Sequence, residues 1–171
     1  MLPNLRLISA IDWDIFPTMS TELDEIDLRI LRELQRDATL AVENLAERVH
    51  LSRNACWRRV KRMEASGTIK SRVALLDASE LGVGLSVFVM LKAKEHSADW
   101  LTSLRRAVSG MPEIVGAFRM SGDLDYLLRV RVGSVADYDD FYQRLIEKLK
   151  AADISASFVM EEIKDTTQLP I

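Results

Sequence analysis

The stretch LSRNACWRRVKR, residues 51 to 62, carries five cationic side chains, a tryptophan and the single cysteine of a 171-residue chain. Cationic side chains at this density suit a polyanion, because each one that meets a phosphate releases a condensed counterion. Stepping about 100° per residue around a helix with Cys56 at zero, Val60 and Met63 fall beside it. Asn54, Arg58, Lys61 and Arg62 lie opposite, with Trp57 on the flank. One face is then core and the other a cationic surface. Ser52 is the expected N-cap and Gly67 the stop. The candidate DNA-binding residues are Ser52, Arg53, Asn54, Trp57, Arg58, Lys61 and Arg62. Trp57 suits stacking on sugar or base and packing against neighbouring chain equally well. Arg59, toward the core side, suits an ion pair with an acid of the first helix as well as a phosphate. For Cys56, a small buried hydrophobe outweighs a redox thiol, since free cysteine is among the most buried residue types.

A second candidate is SGDLDY, residues 121 to 126, preceded by Met120. Gly122 permits a tight turn, and Asp123 and Asp125 offer acceptors for the α-ammonium of a free amino acid. Backbone N–H groups of the turn, with Ser121, can meet its carboxylate. A metal site, a pair of catalytic carboxylates and a plain hairpin turn are the other readings. The residues alone leave these open, although no ligand spacing, nucleophile or base motif lies nearby. Ser155 and Ser157 alternate on the last expected strand and share one face, fit for an effector, a partner subunit or solvent. Neither His50 nor His96 has metal-like companions, and no metal, cofactor or catalytic residue is expected.

These groups need elements to position them. Between Leu23 and Ser66 the spacing predicts three helices: one capped by Asp24, a shorter one over Val42 to Val49, and the cationic one. After Gly67 a strand or wing ends near Asp77, and ASELGVG is a linker. Beyond it the pattern predicts strands at 85–93, 114–120, 126–132 and 155–164 and helices at 97–109 and 135–151. The order βαββαβ is that of a ferredoxin-like sheet with both helices on one face. The fold class is therefore α+β, a winged helix-turn-helix followed by a ferredoxin-like domain. The expected division is an arm over 1–22, a DNA-binding domain over 23–77, a linker over 78–84 and the ferredoxin-like domain over 85–171. An uncovered sheet face implies a partner.

Charge sharpens this reading. The net charge is −3, yet residues 52 to 72 hold seven cations against Glu64 alone, a local +6 that leaves −9 elsewhere. A basic island in an acidic chain marks a localised polyanion site. One cysteine excludes an internal disulfide and points to the cytoplasm. No apolar run approaches the roughly 20 residues of a bilayer span. Asp12 and Asp14 interrupt a secretory core, so residues 1–18 read as a loose extension before Met19.

From Leu23 to Asp77, LDEIDLRILRELQRDATLAVENLAERVHLSRNACWRRVKRMEASGTIKSRVALLD resembles the DNA-binding domain of the leucine-responsive regulator (Lrp/AsnC) family. SGDLDYLLRVRV and FVMEEIK resemble its amino-acid-sensing domain. Within the family, CWRRVKRME, VALLD, MPEIVGAFRMSGDLDYLLRVRV and TTQLPI are most similar to the cysteine-responsive branch, and less so to regulators of branched-chain amino-acid breakdown. The resemblance implies homodimers with sensing sheets face to face, assembled further into tetramers or octamers, and effector sites at interfaces between sensing domains. It implies a regulator of amino-acid metabolism that binds double-stranded DNA and a small amino-acid effector, free cysteine by the branch. Two rival classes are a regulatory subunit or enzyme with a polyanion-binding helix, and an architectural DNA-binding protein without an effector. Sequence-selective, salt-dependent duplex binding separates the first, and binding unchanged by any amino acid the second.

Overall fold

Asp24 opens the first helix with a reciprocal cap: its carboxylate accepts from the Asp27 N–H at 2.8 Å, and Asp27 returns the bond to the Asp24 N–H at 3.1 Å. The computed structural model describes residues 23–95, 97–149 and 151–171. The arm over 1–22 and its expected looseness, and His96, lie outside the described residues. Two compact units result: one reaches to Val73 and takes in Thr166–Ile171, and the other is Ala74–Asp165.

The first unit holds α1 (Glu25–Arg36), α2 (Val42–Arg48) and α3 (Arg53–Ala65). Each helix turns one apolar stripe inward, so Ile30 and Leu34, then Leu45, Ala46 and Val49, then Cys56, Val60 and Met63 form one core. The α2–α3 turn is tight because His50 takes a left-handed backbone (φ 57°), while the Leu51 N–H reaches back to the Ala46 carbonyl at 2.9 Å. Gly67, at φ 77°, ends α3, and the Ile69 N–H closes onto the Met63 carbonyl at 2.9 Å. Of the strand or wing expected before Asp77, the strand does not form. Residues 70–77 run without a ladder, and Val73, Leu75 and Leu76 are about seven-tenths exposed (69%, 73% and 72%). A strand needs a neighbour for its N–H and C=O groups, and among the described residues none lies alongside. Thr166–Ile171 return to α1, where Arg32 Nε donates to the Ile171 carbonyl at 2.8 Å and Gln35 Nε2 to that of Leu169 at 3.2 Å.

The second unit is the expected βαββαβ array: β1 (Leu85–Ala93), α4 (Ala98–Ser109), β2 (Ile114–Arg119), β3 (Tyr126–Val132), α5 (Val135–Lys148) and β4 (Ala151–Phe158). The antiparallel order is β2-β3-β1-β4. Alternation sends Val87, Val89, Leu91, Leu128, Val130 and Val132 to the helix side, against Trp100, Leu104, Phe141 and Leu145. Each such large apolar side chain contributes about 1.5–3 kcal/mol by leaving water. The last strand starts earlier and stops earlier than the expected 155–164. Its ladder ends because β1 begins at Leu85: Val87 pairs with Phe158, the Val159 N–H takes the Ser86 carbonyl, and little β1 is left for later residues to pair with. Among the described residues no helix is long and apolar enough to cross a membrane.

Candidate nucleic-acid interface and effector site

On α3, Ser52 Oγ accepts from the Ala55 N–H at 3.3 Å and so sets the helix start. Cys56, Val60 and Met63 are buried, as the wheel predicts, and burial pushes the Cys56 thiol pKa up, which keeps it protonated. Ser52, Arg53, Asn54, Trp57, Arg58, Lys61 and Arg62 are all exposed, Trp57 by 52%. Their charges are not equally free. Arg53 pairs with Glu43, and Lys61 with Glu64 at 2.7 Å, both at the surface. Arg59 bridges Asp24 at 2.6 Å and Asp27 at 2.9 Å, the ion pair with the first helix that was one of its two readings. Arg62, expected on the outward cationic face, also donates to Asp27. Asp27 is fully buried, and the sequence reading missed its part here; the acids at the start of α1 were the available signal. The Asp27 N–H and then the Arg59 guanidinium hold the Asp24 carboxyl below the usual carboxylate range. Among the described residues Arg58 makes no ion pair. It borders a depression of about 360 Å³ lined also by Leu51, Ala55, Arg59 and Arg62. With Arg59 and Arg62 neutralised from beneath, Arg58 is the lining cation without an ion pair among the described residues.

In the sheet unit, Met120, Ser121, Gly122 and Asp123 are exposed in the β2–β3 loop. Gly122 sits at φ 119°, where a side chain is strained, and nothing crowds the space a Cβ would take. Asp125 is engaged rather than open: its carboxylate accepts from the Ala93 N–H at 2.8 Å, and its own N–H meets the Leu91 carbonyl at 3.1 Å. Asp123 has no partner among the described residues. Ser155 and Ser157 face Met90 and Phe88 across the ladder, on the sheet side away from the helices. They do share a face, but β4 lies three strands from β2 and two from β3, which the loop joins, about 10–14 Å at the usual strand spacing. The expected effector residues therefore form two groups within one chain. No three or more His, Cys, Asp or Glu side chains cluster to hold a metal among the described residues.

Comparison with known proteins bears on both units. A family model described as the AsnC-type helix-turn-helix domain matches residues 23–64, and one described as the Lrp/AsnC ligand binding domain matches residues 86–169. The chain belongs to the Lrp/AsnC family. It is 46% identical to the glutamate uptake regulatory protein of Zymomonas mobilis, over 90% of this chain and 93% of that one. To the DNA-binding transcriptional activator DecR of Escherichia coli it is 45% identical, over 87% of this chain and 99% of that one. Among solved structures, an AsnC family transcriptional regulator from Agrobacterium tumefaciens superposes with a TM-score of 0.84 at 50% identity, covering 86% of this chain and 97% of that one. A Neisseria meningitidis transcriptional regulator, solved with L-Met, gives 0.83 at 33% identity, covering 86% and 96%. In this Lrp/AsnC member the DNA-binding helix-turn-helix is α1–α3, and the ligand-binding domain carries both groups of effector candidates. It is a transcription regulator.

Proposed function

We propose that the chain is a cytoplasmic, homo-oligomeric regulator whose grip on a specific DNA sequence changes when its sheet domain binds a free amino acid, with cysteine as the effector. The observation that carries the DNA half is α3: a buried Cys56, Val60 and Met63 face behind an outward row of Asn54, Trp57, Arg58 and Lys61. Ser52 and Arg53 flank the row at the helix start, where backbone N–H groups also attract phosphate. Residues 23–77 bind DNA in this reading, 78–84 link, and 85–171 sense and oligomerise, although Thr166–Ile171 pack with the helices.

For the sensing half, Asp123 receives the ammonium group, and the Met120–Gly122 backbone the carboxylate. Asp125 holds the loop against β1. Ser155 and Ser157 complete the site from a second subunit, which reconciles their distance from the loop with the interface sites that the resemblance implies. Phe88, Met90, Phe118 and Leu127, neighbours across the open sheet face, support a dimer by needing cover. Resemblance to the cysteine-responsive branch supports cysteine, and the 46% identical glutamate uptake regulator makes glutamate the next compound to try. The test is to select a duplex from a randomised pool and titrate its complex with each common amino acid under reducing conditions. Cysteine should shift affinity or oligomer state most. A response to another amino acid alone rejects cysteine and keeps the sensor, and no response to any rejects the sensor.

A further inference from the structure

A fully buried carboxylate on α1 needs a reason, because burying a charge without partners is costly. Asp27 is that group, and its partners come from α3: Arg59 Nη1 at 2.9 Å on one oxygen and Arg62 on the other, which also takes the Asp24 N–H at 3.1 Å. Asp24 adds a second hold on Arg59 at 2.6 Å. Arg59 and Arg62 stand three residues apart and so on one side of the helix, toward α1. Two guanidiniums one turn apart on one immobile carboxylate fix how α3 is rolled about its axis. That roll decides which side chains face outward.

The same contacts divide the charge. Of the five cations between Arg53 and Arg62, Arg53 and Lys61 have surface partners that a phosphate can replace, and among the described residues Arg58 has none to leave. Arg59 and Arg62 are committed to a carboxylate with no exposure to solvent. We propose that Asp27 is a positioning residue for DNA recognition, which holds Arg59 and Arg62 off the duplex so that selectivity falls on Asn54, Trp57, Arg58 and Lys61. This rests on the reading of α3 as the helix that meets DNA, and the test separates the two.

The full-length chain is titrated at several salt concentrations with a duplex selected from a randomised pool and with a scrambled duplex of equal length. Arg58→Gln should lower the magnitude of the salt slope by about 0.9, the value of one phosphate contact, or, where Arg58 reads a base, lower the selected-to-scrambled ratio. Arg59→Gln and Arg62→Gln should leave the slope at the wild-type value. Asp27→Asn, which releases both arginines, should raise the slope by about 0.9 for each that finds a phosphate, and tighten scrambled-duplex binding roughly tenfold at low salt. The selected-to-scrambled ratio should fall with it, and adding Arg62→Gln to Asp27→Asn should bring the slope back toward wild type. A helix with a merely structural Asp27 would lose stability without gaining slope. A slope reduced by about 0.9 in Arg59→Gln or Arg62→Gln would overturn the proposal, as would a folded Asp27→Asn with wild-type slope and ratio. Should Asp27→Asn fail to fold, the two single arginine variants decide the matter. An unchanged slope together with an unchanged selected-to-scrambled ratio in Arg58→Gln would overturn the underlying reading of α3.

Discussion

In the helical unit, the candidate interface comes from one stretch, Ser52 to Arg62, on one helix with its own cap and stop. In the sheet unit, the candidate effector residues come from a loop beside one edge strand and from the opposite edge strand. The cores differ in the same sense. Among the described residues, eight buried ones hold the three helices and fourteen hold the sheet to its helices. Both units carry polar ties: Asp24 and Asp27 with Arg59 and Arg62, Glu33 with Arg36 and Arg48, and Glu64 with Lys61 and Arg72 in the helical unit, and Arg131 with Glu162, Arg129 with Asp165 and Arg144 with Glu113 in the sheet unit. A helical unit that reads DNA can thus be small and carry its charge on one face, whereas the sheet unit stands on the larger apolar core.

The strongest test of that contrast is Phe141→Ala. This fully buried ring of α5 should cost about 3–5 kcal/mol. Calorimetry should show a sheet-domain transition moving down by many degrees while that of the helices stays. One joint transition moving as a whole would mean that the units do not melt separately. Cys56→Ser should cost the helical unit about 1–3 kcal/mol, because a hydroxyl replaces a sulfur among Val60 and Met63 without a ready partner. Full stability together with a lost response to oxidant would make the thiol a sensor instead.

Removing the Arg58 side chain should leave both transitions in place and weaken selective binding by about 1–3 kcal/mol if it reads a base. Asp123→Ala should erase the effector response, a coupling of about 1–3 kcal/mol, yet keep effector-free DNA affinity. Ligand and DNA are linked only through differential affinity for two states. If Asp123→Ala responds like wild type, the ammonium group is held elsewhere. A response lost with Ser157→Ala as well would tie the two groups into one site.

Two helix starts were legible because caps are local: Asp24 and Ser52 each accept from an N–H three residues on. The buried and outward faces of α3 were legible for the same reason, as periodicity needs no knowledge of neighbours. Arg62 was not, since its direction depends on where α1 places Asp27. The run before Asp77 has strand character, but only a neighbouring strand can make it one. Asp125 has the chemistry of a ligand acceptor, and its bond to the Ala93 N–H arises from a strand 32 residues away in sequence. What one element decides by itself could be read. Of what several elements decide together, the βαββαβ array came through its pattern and the Arg59 pair as one of two readings, but the Arg62 and Asp125 bonds did not.

The smallest effect concerns acid, and it too should divide the units. In the helical unit the Asp27 N–H and Arg59 hold Asp24 low, Arg48 holds Glu33 low, Thr39 holds Asp37 low and Lys61 holds Glu64 low. Among the described residues of the sheet unit, Glu113 alone is held low: burial pushes it up, and its bond from Arg144 and other favourable contacts outweigh that. A carboxylate with a depressed native pKa stabilises the fold fully above its unfolded value, near about 4, and loses that contribution as pH falls through the native value. The helical transition should therefore drop earlier and further than the sheet transition below about pH 4. These carboxylates are largely solvated and salt screens them, so the shift should be a few degrees and smaller at high ionic strength. Asp24→Asn should flatten part of the helical unit's acid drop, because the variant has no proton to take up there. Transitions that fall in parallel, or an acid drop unchanged in Asp24→Asn, would show that these ties do not set the difference between the two units.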